Sequence, residues 1–323
     1  MPQTINNTFI NKTPFKGYSG SLLKKYQQIT HVEFLPGLYS DSSSQIWLLQ
    51  FSNEFNKSGF SECVLKSCDD NQAVLSTPFW EAMNLLFGLS LKKAYQNASY
   101  SYPLISSLCQ LKIPNAIDLL VGQNQAALAV EKISGCPLSS SQLSMKNIEQ
   151  LSDLLIGLHQ YSVSGFGRIE FPKISTTSFY DSNVWRQKVT EAIEVLSQKK
   201  SIESVYIDQA IELVKQIESS KNVPLMMDLR WDQFAQNNGD ITGVFDLDAY
   251  VFAPAELDFV MLEYLLTAQQ ADVFKKRYFL ATNCQVIISK EQRVVYRVLF
   301  YLMNALGEKD IDRWMARPVL FTG

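Results

Sequence analysis

The chain has 323 residues, of which 46% are hydrophobic and 12% aromatic. This length exceeds that of most single domains, so we expect two lobes or one large domain, and the composition excludes a disordered or fibrous protein. The 29 basic and 32 acidic residues give a formal net charge of −3, and no dense basic run is present. This charge pattern argues against binding to a nucleic-acid backbone.

The first 25 residues are rich in Asn, Thr, Ser and Lys, and we interpret residues 1–25 as a polar amino-terminal arm. They lack the apolar core of a signal peptide, and no apolar run in the chain reaches the roughly 18 residues of a membrane span. The five scattered cysteines show no Cys-x-x-Cys spacing, which predicts free thiols. We therefore expect a cytoplasmic protein that does not associate with a membrane.

Short apolar or alternating runs begin at Ile29 and predict a strand-rich sheet. These runs are ITHVEFL, IWLLQF and ECVLKSC, and the turn from Gly37 to Ser44 joins the first two. A helical pattern starts at Pro78 along PFWEAMNLLFGLSLKKAY and is followed by a second helical block, SYPLISSLCQL. The run IDLLVGQNQAALAVEK then predicts two more strands around a Gly-Gln-Asn turn. These elements define an amino-terminal lobe at residues 26–132.

Residues 133–323 are predicted to form a second, mainly helical lobe. Helix-period apolar stripes run along MKNIEQLSDLLIGLHQY, VWRQKVTEAIEVLSQ and ESVYIDQAIELVKQIES, and we interpret them as core. One interval in this lobe, VPLMMDLRWDQFAQNNGDITGVFDLDAYVFAP, is not helical and carries several acids. Helical patterns return in AELDFVMLEYLL and EQRVVYRVLFYLMNAL. The chain is therefore predicted to be an α+β protein with its acids in the second lobe.

Two aspartates in this interval stand at the ends of short apolar runs. Asp228 follows VPLMM and Asp246 follows TGVF, and the Asn-Asn-Gly at 237–239 predicts a tight reversal between them. The reversal would fold the two strand segments toward each other and bring both carboxylates into one cleft. Carboxylates held together need a cation, for which Mg²⁺ accompanied by nucleotide phosphates is the common answer. The alternative is that both aspartates only cap turns, where Asp is ordinary.

The order and spacing of these residues resemble the catalytic segment of the aminoglycoside/choline kinase-type phosphotransferases. That family's pattern is His-Gly-Asp-Leu with an Asn five residues after the Asp, a second Asp after a short hairpin, and a third in the next helix. Asp228, Asp246 and Asp258 match the three acids. The resemblance implies a protein kinase-like, two-lobed α+β fold, with an antiparallel sheet plus helices in the small first lobe and a larger helical second lobe that holds the catalytic and acceptor site.

The resemblance also implies roles in catalysis. Asp228 would orient or deprotonate an acceptor hydroxyl, and Arg230 would neutralise the phosphoryl group during its transfer. The alternative for Arg230 is a surface arginine paired with Asp232. The implied reaction is an ATP- and Mg²⁺-dependent phosphotransfer to a hydroxyl of a small molecule, with GTP as an alternative donor.

The metal in this reading would be held by Asp246, Gln233 and Asp248. Gln233 stands where the family has Asn, and it carries the same amide oxygen on a stem one methylene longer. Met226 and Met227 occupy the His-Gly positions of the pattern. These departures keep a second hypothesis open, namely a catalytically inactive relative that binds a nucleotide or a metabolite.

The first lobe contributes the predicted nucleotide contacts. Lys66, in ECVLKSC, resembles the family's phosphate-binding lysine, and Glu81 is a candidate ion-pair partner for it. The following helical block fits the family's register better, but it has no acid where a Glu is expected. The turn containing Ser42 and Ser43 would cover the phosphates with hydroxyl and N–H groups, and backbone groups around Glu131 would read the adenine edge.

The remaining candidates concern the acceptor. Only about eleven residues separate Asp246 from Asp258, which is too short for the activation segment of a protein kinase and favours a small-molecule acceptor. His159 is interpreted as a core histidine with satisfied ring nitrogens. Four aromatic residues of the second lobe either stack on an acceptor or pack ordinarily, namely Tyr180, Trp185, Trp231 and Tyr250.

Overall fold

The structure is a computed structural model that describes residues 29–36, 43–52, 60–69, 77–170, 182–200, 202–218 and 221–322. Its strands are β1 Ile29–Leu35, β2 Gln45–Phe51, β3 Glu62–Asp69, β4 Ala116–Val121, β5 Gln125–Glu131, β6 Cys136–Pro137, β7 Gly167–Arg168, β8 Asn222–Met226, β9 Phe234–Asn237, β10 Asp240–Val244 and β11 Tyr250–Pro254. Its helices are α1 Pro78–Phe87, α2 Leu91–Leu108, α3 Met145–Gln160, α4 Ser182–Ser197, α5 Ser204–Val214, α6 Glu256–Leu265, α7 Ala268–Thr282, α8 Lys290–Leu302 and α9 Ile311–Met315. The predicted arm, Ser42 and Tyr180 lie outside the described residues.

A five-stranded antiparallel sheet forms the first of two compact units. Its strand order is β1-β2-β3-β5-β4, and the unit comprises the described residues up to 77 together with 91–99 and 114–132. Strand β5, which lies between β3 and the edge strand β4, is buried along most of its length, whereas the edge strand β1 is largely exposed. The alternating residues of neighbouring strands form one apolar cluster on this sheet, made of Ile29, Leu49, Cys63, Leu65, Leu120, Ala127 and Ala129.

The second unit is mainly helical and comprises 78–90, 100–113 and the described residues from 133 onward. It holds two small sheets, ordered β10-β9-β6 and β7-β11-β8, and helix pairs such as α3 with α7 and α5 with α8. The predicted first lobe, 26–132, contains segments 78–90 and 100–113, which the structure groups with this second unit. The reason is packing, because α1 lies on α4 with the rings of Phe87 and Trp185 stacked at 6.0 Å.

The helical pattern that starts at Pro78 is interrupted earlier than its periodicity indicates. Gly88 has a φ of +62° and ends α1, with Gly88 N–H donating to the Asn84 carbonyl and Leu89 N–H to the Met83 carbonyl. This arrangement is the glycine-dependent cap by which many helices end. The next helix, α2, contains the end of this predicted pattern, LKKAY, and most of the second predicted helical block, SYPLISSLCQL. Pro103 lies in its interior. Among the described residues, no helix has both the length and the apolar character to cross a membrane.

Glu263 on α6 is the centre of a buried charge cluster in the second unit, with 1% of its surface exposed. Its carboxylate accepts hydrogen bonds from Arg293 Nε at 3.0 and 3.1 Å, from Arg297 Nη2 at 2.7 Å and from the N–H of Leu320 at 2.9 Å. Arg297 also donates to carbonyl oxygens in the segment 315–318. The cluster therefore ties α6 to α8 and to the carboxy-terminal segment.

We predict that Glu263→Ala lowers the free energy of unfolding by roughly 3–5 kcal/mol, because removing one partner of a buried ion pair leaves uncompensated charge in the core. Urea unfolding followed by tryptophan fluorescence measures the change. The matched control is Glu212→Ala, since Glu212 forms an exposed pair with Lys215 and should contribute little. Equal stabilities of the two variants would contradict the assignment of Glu263 as a structural centre.

Candidate functional site

The two predicted acids of the second unit each follow a strand. Asp228 comes after β8 and Asp246 after β10. The predicted reversal is confirmed, because Asn238 and Gly239 have φ values of 52° and 84° and join the antiparallel strands β9 and β10. The expectation that this reversal pairs the strand of Asp228 with the strand of Asp246 is wrong, since β8 pairs with β11 and β10 pairs with β9.

Backbone hydrogen bonds bring the two loops together instead. The N–H of Met227, next to Asp228, donates to the carbonyl of Ala249 at 3.1 Å. The N–H of Phe245, next to Asp246, donates to the carbonyl of Gln233 at 2.8 Å. Each acid thus has a neighbour anchored to the other loop, so the positions of the two carboxylates are coupled.

The carboxylate of Asp228 has an environment suited to proton transfer. Gln233 Nε2 donates to its Oδ2 at 3.0 Å, Arg230 Nε lies 3.4 Å from its Oδ1, and 28% of the side chain is exposed. Removal from water raises the pKa of Asp228 to about 7, with Arg230 opposing the rise and Asp246 adding to it. The carboxyl group therefore titrates near neutral pH, and Asp246 lies within its electrostatic range.

Arg230 lies between two carboxylates. Its Nε is 3.3 Å from Asp232 Oδ1 as well as 3.4 Å from Asp228 Oδ1, and its Nη2 donates to Asp232 Oδ2 at 3.4 Å. These contacts are longer than the 2.7–2.9 Å of a strong charge-assisted hydrogen bond. The guanidinium is thus shared between both acids, and the pairing with Asp232 that the alternative interpretation expected is seen.

Asp248 connects the second loop to helix α2. Its N–H donates to Asp246 Oδ1 at 2.9 Å, and its own Oδ1 accepts a hydrogen bond from the hydroxyl of Tyr102 at 3.4 Å. Asp248 is 5% and Tyr102 is 2% exposed. Tyr102 was missed in the sequence, because one tyrosine on the apolar stripe of a helix is indistinguishable there from ordinary core.

His159 and Asp258 form a buried structural pair. His159 is fully buried, its Nε2 lies 3.0 Å from Asp258 Oδ2, and its Nδ1 lies 3.1 Å from the hydroxyl of Tyr278. Burial raises the pKa of Asp258, and the hydrogen bond and charge of His159 act in the opposite direction. The interpretation of His159 as a core histidine is confirmed, and Asp258 serves to join α6 to α3.

Three aromatic candidates are also part of the core. Trp185, Trp231 and Tyr250 are 1%, 6% and 3% exposed, respectively. The indole N–H of Trp185 donates to the hydroxyl of Tyr296 at 3.0 Å. Such burial supports the alternative of ordinary packing over stacking on an acceptor.

The predicted nucleotide residues of the first unit occupy its sheet and loops. Lys66 is 4% exposed on β3, between Ile46 and Leu128 of the neighbouring strands. Ser43 is half-buried, and the hydroxyl of the adjacent Ser44 lies 2.8 Å from that of Tyr95 on α2. The residue that precedes β2 is therefore in contact with α2.

Two predicted residues have structural partners of their own. The carboxylate of Glu131 accepts from the N–H and Nδ2 of Asn115 at 3.2 and 2.6 Å, and the N–H of Glu131 donates to the Asn115 carbonyl. In the second unit, Glu81 on α1 accepts from Lys199 Nζ at 2.6 Å. Both carboxylates therefore have hydrogen-bonding partners within the fold.

The donor set around Asp228 and Asp246 fits a hard divalent cation. Both carboxylates and the amide oxygen of Gln233 are ligand types that Mg²⁺ prefers, and the pKa of Asp228 is raised mainly by desolvation, with Asp246 adding to the rise. In the parts of the chain that the structure covers, no group of three or more His, Cys, Asp or Glu side chains is arranged to hold a metal. Nucleotide sites commonly bind Mg²⁺ through one or two carboxylates together with substrate phosphates.

The sequence matches no protein-family model and no curated protein at a significant level. Solved structures, in contrast, match almost the whole chain. A Haemophilus somnus protein described as a fructosamine-3-kinase is 15% identical, with a TM-score of 0.57 over 93% of this chain and 97% of that chain. A thermostable mutant of an aminoglycoside phosphotransferase, in a ternary complex with AMP-PNP and hygromycin B, is 15% identical with a TM-score of 0.56 over 91% and 94%.

A macrolide 2′-phosphotransferase from Brachybacterium faecium is 11% identical, with a TM-score of 0.54 over 94% of both chains. All three structures are kinase-type phosphotransferases by description, and at such identities the likeness establishes the architecture. The predicted fold class is confirmed. The chain therefore has the fold of the kinase-like phosphotransferases that its catalytic segment resembles.

Proposed function

We propose that this protein transfers a phosphoryl group from ATP or GTP, with Mg²⁺, to a hydroxyl of a small molecule. The observation that carries this proposal is the arrangement at Asp228. Its carboxylate accepts from Gln233 Nε2 at 3.0 Å and lies 3.4 Å from Arg230 Nε, while burial raises its pKa to about 7, a value suited to a general base at neutral pH. It lies beside Arg230 and within electrostatic range of Asp246, in a fold shared with phosphotransferases. A residue that merely caps a turn would not combine these properties.

The contacts support a role for each residue in this proposal. Asp228 accepts the proton of the acceptor hydroxyl, and Gln233 holds its carboxylate through the bond to Oδ2. Arg230 supplies positive charge where negative charge develops on the transferring group. Asp246 and the amide of Gln233 would hold Mg²⁺, which neutralises the nucleotide phosphates when bound.

The first unit would bind the nucleotide. Lys66 brings an ammonium group on a buried stem, and the loop containing Ser42 and Ser43 offers hydroxyl and N–H groups to phosphates. The N–H of Glu131 is engaged with Asn115, so neighbouring backbone groups would read the adenine edge. Glu81 takes no part in this proposal, because its carboxylate forms an ion pair with Lys199.

A second candidate function is binding of a nucleotide or metabolite without phosphotransfer. Met226 and Met227, at the positions of the family's His-Gly, are 2% and 1% exposed and pack in the core. They offer no polar group to the site. Turnover that depends on Asp228 would eliminate this candidate.

We predict that Asp228→Asn lowers phosphotransfer by roughly 10²–10⁴-fold, the usual contribution of a general base. A screen of hydroxyl-bearing metabolites with Mg²⁺·ATP and Mg²⁺·GTP identifies the acceptor, and thermal shifts report nucleotide binding in the variant. The matched control is Asp240→Asn, since Asp240 pairs with Lys146 on the surface and should not affect turnover. Unchanged activity of Asp228→Asn, or no nucleotide binding by the wild type, would refute the proposal.

The pKa of Asp228 leads to a pH prediction. The base must be ionised, so kcat/KM for the nucleotide, which reports the free enzyme, should fall as pH drops through about 7. Arg230→Gln removes a cation that lowers the pKa of Asp228, and the transition should then move to higher pH. A transition near pH 4, the ordinary value for an aspartate, would contradict the assigned environment.

A further inference from the structure

Tyr102 and Asp248 form a hydrogen-bonded connection to the loop that carries Asp246. The hydroxyl of Tyr102 donates to Asp248 Oδ1 at 3.4 Å, and the N–H of Asp248 donates to Asp246 Oδ1 at 2.9 Å. The first contact joins residues 146 positions apart in sequence. The second joins a side chain to the N–H two residues on, a local turn motif that restricts rotation of the Asp246 carboxylate.

Asp248 is the middle of this connection and is almost completely buried. A buried carboxylate is costly unless hydrogen bonds satisfy it, so the Tyr102 hydroxyl favours one conformation of Asp248. The backbone N–H of the same residue donates to Asp246 Oδ1, so a shift of the Asp248 backbone would change the orientation of Asp246. Displacing the hydroxyl would therefore loosen the loop from 246 to 248.

Helix α2 carries this hydroxyl on its buried face. Tyr95, Ala98, Tyr102 and Ile105 recur at three- and four-residue spacing and are at most 2% exposed, so Tyr102 belongs to the buried stripe of the helix. The helix, LKKAYQNASYSYPLISSL, contains no acidic residue. Helix α2 therefore contacts the loop from 246 to 248 through the neutral hydroxyl of Tyr102.

We infer that Tyr102 is a positioning residue, which orients Asp246 for the metal–nucleotide complex through Asp248. The inference rests on the proposed function and deepens it. It also assigns Asp248, predicted from the sequence as a metal ligand, to the support of Asp246. Asp228 makes no part of this connection, so binding of the metal–nucleotide complex is the property that Tyr102 should control.

The test measures ATP affinity of the full chain by calorimetry, with and without Mg²⁺, and Mn²⁺·ATP binding by electron paramagnetic resonance. Tyr102→Phe removes only the hydroxyl. We expect it to weaken binding of Mg²⁺·ATP by roughly 2- to 10-fold, the effect of one hydrogen bond, and to leave binding of metal-free ATP unchanged. The control is Tyr296→Phe, which removes another buried hydroxyl, the acceptor of Trp185 Nε1, and should leave both affinities unchanged.

Variants of Asp248 distinguish support from direct ligation. Asp248→Asn retains an oxygen that accepts from Tyr102 and should keep more Mg²⁺·ATP affinity than Asp248→Ala. Adding Tyr102→Phe to Asp248→Ala should cause no further loss, because both changes break one connection. Equal losses in the two Asp248 variants, with Tyr102→Phe at wild-type affinity, would overturn the inference and leave the proposed function standing. Absence of Mg²⁺-dependent nucleotide binding in the wild type would overturn both.

Discussion

Loss of water around the carboxylate of Asp228, with a second acid nearby, is the constraint on which the candidate site depends. Asp228 has its pKa raised to about 7 by desolvation and by Asp246, and Arg230, the cation in contact with it, is shared with Asp232. Such an arrangement persists only if the surrounding backbone holds the acids in place. The bonds of Met227 to Ala249 and of Phe245 to Gln233 provide that restraint. The excess negative charge is what a magnesium–nucleotide complex would neutralise.

The buried charges of the framework differ from those of the site. Glu263 is surrounded by two guanidinium groups and a backbone N–H, and Asp258 is hydrogen-bonded to His159. Both acids lie on α6, directly after β11, the strand that pairs with β8 before Asp228. These paired, buried charges thus stabilise helix α6, which follows the strand paired with β8. Asp228, in contrast, is 28% exposed, and its contact with Arg230 Nε is a long one of 3.4 Å.

The departures from the family's catalytic pattern have local consequences. Gln233 directs its amide nitrogen to Asp228, and its side chain is one methylene longer than the family's Asn. Met226 and Met227 are buried in the core, so the two residues before Asp228 are apolar where the family has His-Gly. Desolvation is accordingly the largest influence on the pKa of Asp228. The pKa of Asp228 is thus raised by burial, and no imidazole is among its causes.

The amino-acid sequence by itself determined the local features of this protein: the strands of the first unit, the Asn238-Gly239 reversal, and the placement of Asp228 and Asp246 after strands. These depend on periodicity and turn chemistry within a few residues. The tertiary structure alone decided the pairing of β8 with β11, the contact of Tyr102 with Asp248 and the pKa of Asp228. The first two features join residues that are distant in sequence, and the third results mainly from the loss of surrounding water. None of them produces a local pattern in the amino-acid sequence.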